Sequence, residues 1–79
     1  MDNADQIIRK LIADKLGLDE EAVKPGDSFI DDLGADSLDV YELFTDLEKE
    51  FKIVIQSEDA EKITTPGSLI KYIKNKIQG

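Results

Sequence analysis

The sequence predicts an all-α fold: a four-helix bundle of three longer helices and one short helix, with a long first loop. Three observations predict it. Apolar residues recur at three- and four-residue spacing in three separate stretches, the period of one helix face. The one strand-like stretch, around Ile53 and Ile55, has no second strand to pair with. The chain has 79 residues with no repeat, low-complexity tract or linker, so residues 1–79 read as a single domain around one core.

Ala4, Ile7, Ile8, Leu11, Ile12 and Leu16 form the first stripe, with Arg9, Lys10, Asp14 and Lys15 off it. They predict an amphipathic helix from about residue 3 to 16, stopped by Gly17. Residues 17–35 contain Gly17, Pro25, Gly26 and Gly34 and hold no period. A connection this long needs local structure or a function. Asp19–Val23 suits a single helical turn, and Phe29, Ile30 and Leu33 are expected to anchor the loop on the core. The second helix is predicted from about Asp36 to Phe51. Asp36 is its N-cap, accepting from the open N–H groups of the first turn, and Val40, Leu43, Phe44, Leu47 and Phe51 are its buried stripe. Lys52–Gln56 is a short link from which Ile53 and Ile55 point inward. Ser57 is expected to cap a short helix running to Ile63. Thr65 as N-cap and Pro66 at the first helical position start the last helix, whose stripe is Leu69, Ile70, Ile73 and Ile77.

Composition excludes several function classes. Eighteen acidic residues against ten basic ones give a net charge of −8, so nucleic acid is not an expected partner. A basic protein surface is the natural counterpart, with steered encounter as the benefit. With no Cys and no His, disulfides, thiolate catalysis and the usual zinc sites are excluded. The acids between Asp27 and Glu42 do not match a twelve-residue calcium loop, so no metal is expected. No apolar run approaches the ~20 residues of a membrane span, and the acidic start, Asp2 and Asp5, is unlike a secretory or transit segment. A cytoplasmic monomer that inserts in no membrane is the expectation. The charge is uneven. Asp27–Glu61 holds twelve acids and two lysines, whereas 62–79 holds four lysines and no acid.

The second helix has one residue out of place. At 100° per residue, Leu38 lies about 160° from the centre of the buried stripe. Its wheel neighbours are Asp39, Glu42, Thr45, Asp46 and Lys49, and Tyr41 falls on the border of the two faces. Single exposed leucines are common, yet this one is rimmed by acids and adjacent to Ser37. That context suits an apolar anchor within an electrostatic docking surface. Because Asp36 fills the N-cap role, the Ser37 hydroxyl is left pointing to solvent. A helix N-terminus favours an attached phosphate by a few tenths to about 1 kcal/mol, while Asp36 and Asp39 oppose it by like charge. With no imidazole in the chain, Ser37 has no convincing base for hydrolase chemistry. Two readings stay open from the residues alone. One is an attachment site; the other is an acidic adaptor whose Leu38/Tyr41 face binds a basic partner.

Asp32-Leu33-Gly34-Ala35-Asp36-Ser37-Leu38-Asp39, followed by Glu42-Leu43 and Leu47-Glu48, resembles the attachment motif of acyl carrier proteins. The likeness extends to Phe29, to Glu50-Phe51 and to Glu58-Asp59-Ala60-Glu61-Lys62-Ile63-Thr64-Thr65, and so covers almost the whole chain. The resemblance implies a non-enzymatic carrier, with 4′-phosphopantetheine joined to Ser37 through a phosphodiester. A phosphopantetheinyl transferase would add the arm from coenzyme A, and its thiol would hold acyl groups as thioesters for enzymes of fatty acid, polyketide or specialised lipid biosynthesis. The reactivity would then belong to the prosthetic group. Asp36 and Leu38 would flank the arm. Asp39, Tyr41, Glu42, Thr45, Asp46 and Glu48 would meet basic docking surfaces on acyl-transferring and chain-elongating partners, with Glu48 nearest the edge of that face. The implied acyl-pocket positions are Phe29, Leu33, Leu43, Phe44, Leu47, Ile55, Ala60, Ile63, Leu69 and Tyr72, each also an ordinary core residue. Ala35-Asp36 favours the acyl over the peptidyl class of carrier. Val40-Tyr41, Phe44-Thr45-Asp46 and Gln56-Ser57 depart from the common pattern. Bulk at Tyr41, Phe44 and Leu69 would narrow an acyl cavity. These departures weaken the case for the housekeeping carrier of fatty acid synthesis while leaving a carrier dedicated to one pathway open.

Overall fold

The computed structural model describes residues 3–78. Helix α1 runs Asn3–Leu16, α2 Ser37–Phe51, α3 Ser57–Ala60 and α4 Pro66–Gln78, with a 3₁₀ turn at Glu20–Ala22 in the first loop. The described residues contain no strand. Three long helices and one short one enclose a single core.

Each long helix supplies that core with a pair of residues four apart: Ile8 and Ile12, Leu43 and Leu47, Leu69 and Ile73. That spacing stacks two side chains on one helix face. All six are at most 1% exposed, and burying one such side chain stabilises by roughly 1.5–3 kcal/mol. The first loop contributes Val23, Phe29 and Ala35 to the same core. Phe29 meets Phe44 edge-on, with centroids 6.5 Å apart and planes at 75°, a favoured aromatic geometry.

The helix ends follow local chemistry. Gly17 takes φ +70°, and the Leu18 N–H reaches back to the Ala13 C=O at 2.8 Å, closing α1 with the six-to-one bond of a left-handed stop. The end of α2 repeats this without glycine. Lys52 sits at φ 56° and the Ile53 N–H donates to the Glu48 C=O at 3.1 Å. Thr65 caps α4 as expected: its Oγ1 accepts the Ser68 N–H at 3.2 Å.

Four expectations need correction. Ile30 is not an anchor but stands 54% exposed, because Phe29 takes the inward direction of that turn. Ile77 is 44% exposed; residues 75–78 are exposed all round, so no neighbour covers the last turn of α4. Ser57 is the first helical residue of α3 and not its cap. The N-cap is Gln56, whose backbone is extended and whose side chain makes no capping bond. The α3 helix ends at Ala60, three residues before Ile63. There the bonding tightens, with Lys62 and Ile63 donating to the carbonyls of Asp59 and Ala60 at 3.0 and 3.2 Å, which is 3₁₀ geometry.

Candidate functional site

The site is built by the turn that leads into α2. Ser28 organises it: its N–H donates to Asp32 Oδ2 at 2.7 Å, and its carbonyl accepts from Asp32 and Leu33, each at 3.0 Å. Gly34 then takes φ +75°, a left-handed step that needs no Cβ. This sends Ala35 into the core, with its N–H on the Phe29 C=O at 2.9 Å. Asp36 follows in extended conformation. Its Oδ1 accepts the Asp39 N–H at 2.9 Å, and its own N–H makes a long 3.4 Å bond to Asp39 Oδ2. This reciprocal capping box fixes the first turn of α2.

Ser37 opens the helix and is exposed, and its hydroxyl makes no hydrogen bond among the described residues. The Asp39 N–H is held by the Asp36 carboxylate and the Val40 N–H by the Asp36 carbonyl. The N–H groups of Ser37 and Leu38 lie outside the helix's own bonding. Beside Ser37 is a half-open cavity of about 270 Å³, walled by Phe29, Ile30, Val40, Ala60 and Ile63, with Ser28, Glu61 and Thr64 as polar members. A second groove of about 260 Å³ follows, lined by Tyr41, Phe44, Thr45, Glu48, Ile55, Ser57 and Ala60. Its α2 residues continue the stripe of Ser37 and Val40 at helical spacing, and Ala60 borders both spaces.

Of the expected pocket residues, Phe29, Ala60 and Ile63 line the first cavity, and Phe44, Ile55 and Ala60 the second. Tyr72 lines a separate cleft with Ile63 between α3 and α4, and its hydroxyl donates to Asp59 Oδ2 at 2.9 Å, tying those helices together. Leu43, Leu47 and Leu69 are fully buried and line none of these spaces, nor does the half-buried Leu33. Sequence reasoning missed Ser28, Ile30, Val40, Glu61 and Thr64 as cavity residues. Val40 and Ile30 carried an apolar signal, assigned to the core. The others carried none, because only packing brings them to Ser37.

The outer face of α2 carries Leu38 at 62% and Tyr41 at 70% exposed. Glu42 and Asp46 stand on the same helix and share a cation from α1: Lys15 Nζ lies 3.1 Å from Asp46 Oδ2 and 3.7 Å from Glu42 Oε1. The Asp46 hydrogen bond, then the charges of Asp46 and Glu42, raise the Lys15 ammonium above its ordinary value, against partial desolvation. The Thr45 hydroxyl is turned back onto the Tyr41 C=O at 3.0 Å. Glu48 is half-buried, and its Oε2 accepts the Ile55 N–H at 2.8 Å, so it holds the link after α2.

The sequence model of the phosphopantetheine attachment site matches residues 6–73. Two solved structures are similar over nearly their whole length. One is a protein of Mycobacterium tuberculosis assigned as an acyl carrier protein, 33% identical with a TM-score of 0.85, covering 91% of this chain and 96% of its own. The other is the acyl carrier protein of Enterococcus faecalis, 37% identical with a TM-score of 0.79 and 92% of each chain covered. The chain belongs to the acyl carrier protein family. Its prosthetic group is 4′-phosphopantetheine, covalently bound. The residues fit such a group: an exposed hydroxyl on a helix N-terminus, where unpaired N–H groups favour a phosphate, beside a cavity that can receive an arm. Carrier domains of this family are in general non-catalytic. No helix of the described residues is long and apolar enough to cross a membrane.

Proposed function

We propose that this acyl carrier protein bears its arm on Ser37 Oγ and, without catalysing a reaction itself, presents acyl groups to enzymes of fatty acid or related polyketide and specialised lipid biosynthesis. When bound, the arm supplies a thiol that holds the acyl group as a thioester. The observation that carries the reading is the Ser37 hydroxyl, exposed, without an internal partner and at the mouth of the 270 Å³ cavity. The chain has no His or Cys, so the base that accepts the serine proton during attachment belongs to the phosphopantetheinyl transferase. Asp36 holds the first turn through its cap, and Leu38 flanks the hydroxyl as an apolar contact. Leu38 and Tyr41, with Asp39, Glu42 and Asp46, form the surface on which a basic partner docks. The first cavity, about 270 Å³ and half open, can take up the start of an acyl chain. A longer acyl chain continues past Ala60 into the second groove.

Incubation with coenzyme A and a phosphopantetheinyl transferase is expected to add one arm's mass to the protein, and Ser37→Ala to abolish the gain. Failure of several such transferases to modify the unmutated protein overturns the assignment. Modification that persists in Ser37→Ala moves it to another residue.

A further inference from the structure

Two carboxylates of the α2 face already have a cation, and it comes from the same chain. Lys15 lies in the last turn of α1, where the helix dipole favours a positive charge. Gly17 stops α1 two residues later, which fixes the register of that turn. The ammonium spans Asp46 at 3.1 Å and Glu42 at 3.7 Å. Glu42 and Asp46 are one helical turn apart, a like-charge spacing that destabilises when uncompensated. All three side chains keep access to water, at 26%, 50% and 43% exposure, so the clamp can open. Asp36 and Asp39, beside Ser37, have no ion-pair partner among the described residues.

We propose that Lys15 is an internal competitor for the docking partner's cation. It occupies the Glu42–Asp46 pair in the free protein, and a Lys or Arg of an incoming enzyme displaces it. The face is therefore split. Its upper part, with Asp36, Leu38 and Tyr41, is open to any partner. Its lower part is open only to a partner whose basic group outcompetes a tethered lysine. Lys15 thus selects for enzymes with strong basic contacts one turn or more below Ser37, and against those that rely on weak ones. The inference rests on the reading of α2 as the docking face.

The test uses a phosphopantetheinyl transferase that modifies the unmutated apo protein. Lys15→Gln is expected to lower the KM for the protein about two- to fivefold, the scale of one exposed ion pair, with kcat unchanged and a steeper loss of affinity with added salt. Lys15→Arg, which keeps the pair, is expected to match the unmutated protein. Lys71→Gln removes one positive charge from the exposed side of α4 and controls for net charge; its KM is expected to stay within about 1.5-fold. An unchanged or raised KM in Lys15→Gln overturns the proposal, and so does an equal fall in Lys71→Gln. If the unmutated protein is not modified at all, the carrier assignment fails instead.

Discussion

The two connections that flank α2 border different spaces, the first the cavity at Ser37 through Phe29 and the second the groove beyond Ala60 through Ile55, and they are held in different ways. The first, between α1 and α2, is tied down along its length. Val23, Phe29 and Ala35 are buried, the Phe29 N–H donates to the Thr64 C=O at 3.0 Å, and the Gly67 N–H donates to the Pro25 C=O at 3.0 Å. The second, residues 52–56, buries no side chain fully: Ile53 and Ile55 are half-buried and Val54 is 62% exposed. The Glu48 carboxylate on the Ile55 N–H, at 2.8 Å, is its side-chain tie. The helix that follows has only four residues and none of them buried. The first connection is thus part of the core, while the second is held by two half-buried isoleucines and one charged bond. Local opening begins where buried contacts are few, so the groove beside Ile55 is expected to open and adapt more readily than the cavity beside Ser37.

Substitutions test that contrast, beginning with the strongest. Phe29→Ala removes the loop's main core contact and its edge-on partner Phe44. It is expected to cost about 3–5 kcal/mol in chemical denaturation, much of the stability of a domain this size. A loss below about 1 kcal/mol would show that the first connection is not core-anchored. Gly67→Ala is next. A Cβ there would stand 2.9 Å from the Pro25 carbonyl oxygen and 3.1 Å from its Cβ, so the loop must shift. A cost of about 1–3 kcal/mol is expected, with faster amide exchange at Gly67 and Phe29. Glu48→Ala removes the tie of the second connection and is expected to cost about 1 kcal/mol. Its mark is local: Ile55 exchanges faster while Phe29 does not, and exchange rising equally at both would erase the distinction between the connections.

The smallest effect involves neither connection. The Lys15 pKa is raised above its ordinary value of 10.5 by Asp46 and Glu42. A raised folded-state pKa stabilises fully below the ordinary value and loses that contribution as pH rises through the folded one. The difference in melting temperature between the unmutated protein and Lys15→Gln is therefore expected to shrink above about pH 10.5. A constant difference would leave the clamp without a role in stability.

Much of this was legible in the sequence. The stripes of α1, α2 and α4 set three helices to within a residue, since a helix face is written in residues three and four apart. Gly17, Asp36 and Thr65 marked ends correctly because a cap is satisfied within four residues of itself. The exposed Leu38 and the unpartnered Ser37 hydroxyl were readable for the same reason, as both follow from helical geometry and one cap. The stripe did not reveal that Ile77 runs beyond its covering neighbours, or that Phe29 and not Ile30 would turn inward. Helical spacing placed Lys15 off the α1 stripe as a surface charge, and the resemblance placed Glu48 at the edge of the docking face, whereas it is half-buried and holds the Ile55 N–H.

What the sequence determined by itself was therefore local: the helices, their caps, the acidic face and the serine that opens it. The tertiary structure alone decided that Lys15 would clamp Glu42 and Asp46, that Glu48 would hold Ile55, that Gly67 would meet Pro25, and that Phe29, Val40, Ala60 and Ile63 would wall a cavity at Ser37. The contacts of Lys15, Glu48 and Gly67 join residues 7 to 42 positions apart. Helical period and capping rules act within a few residues, so contacts across the fold become defined only when the faces pack together.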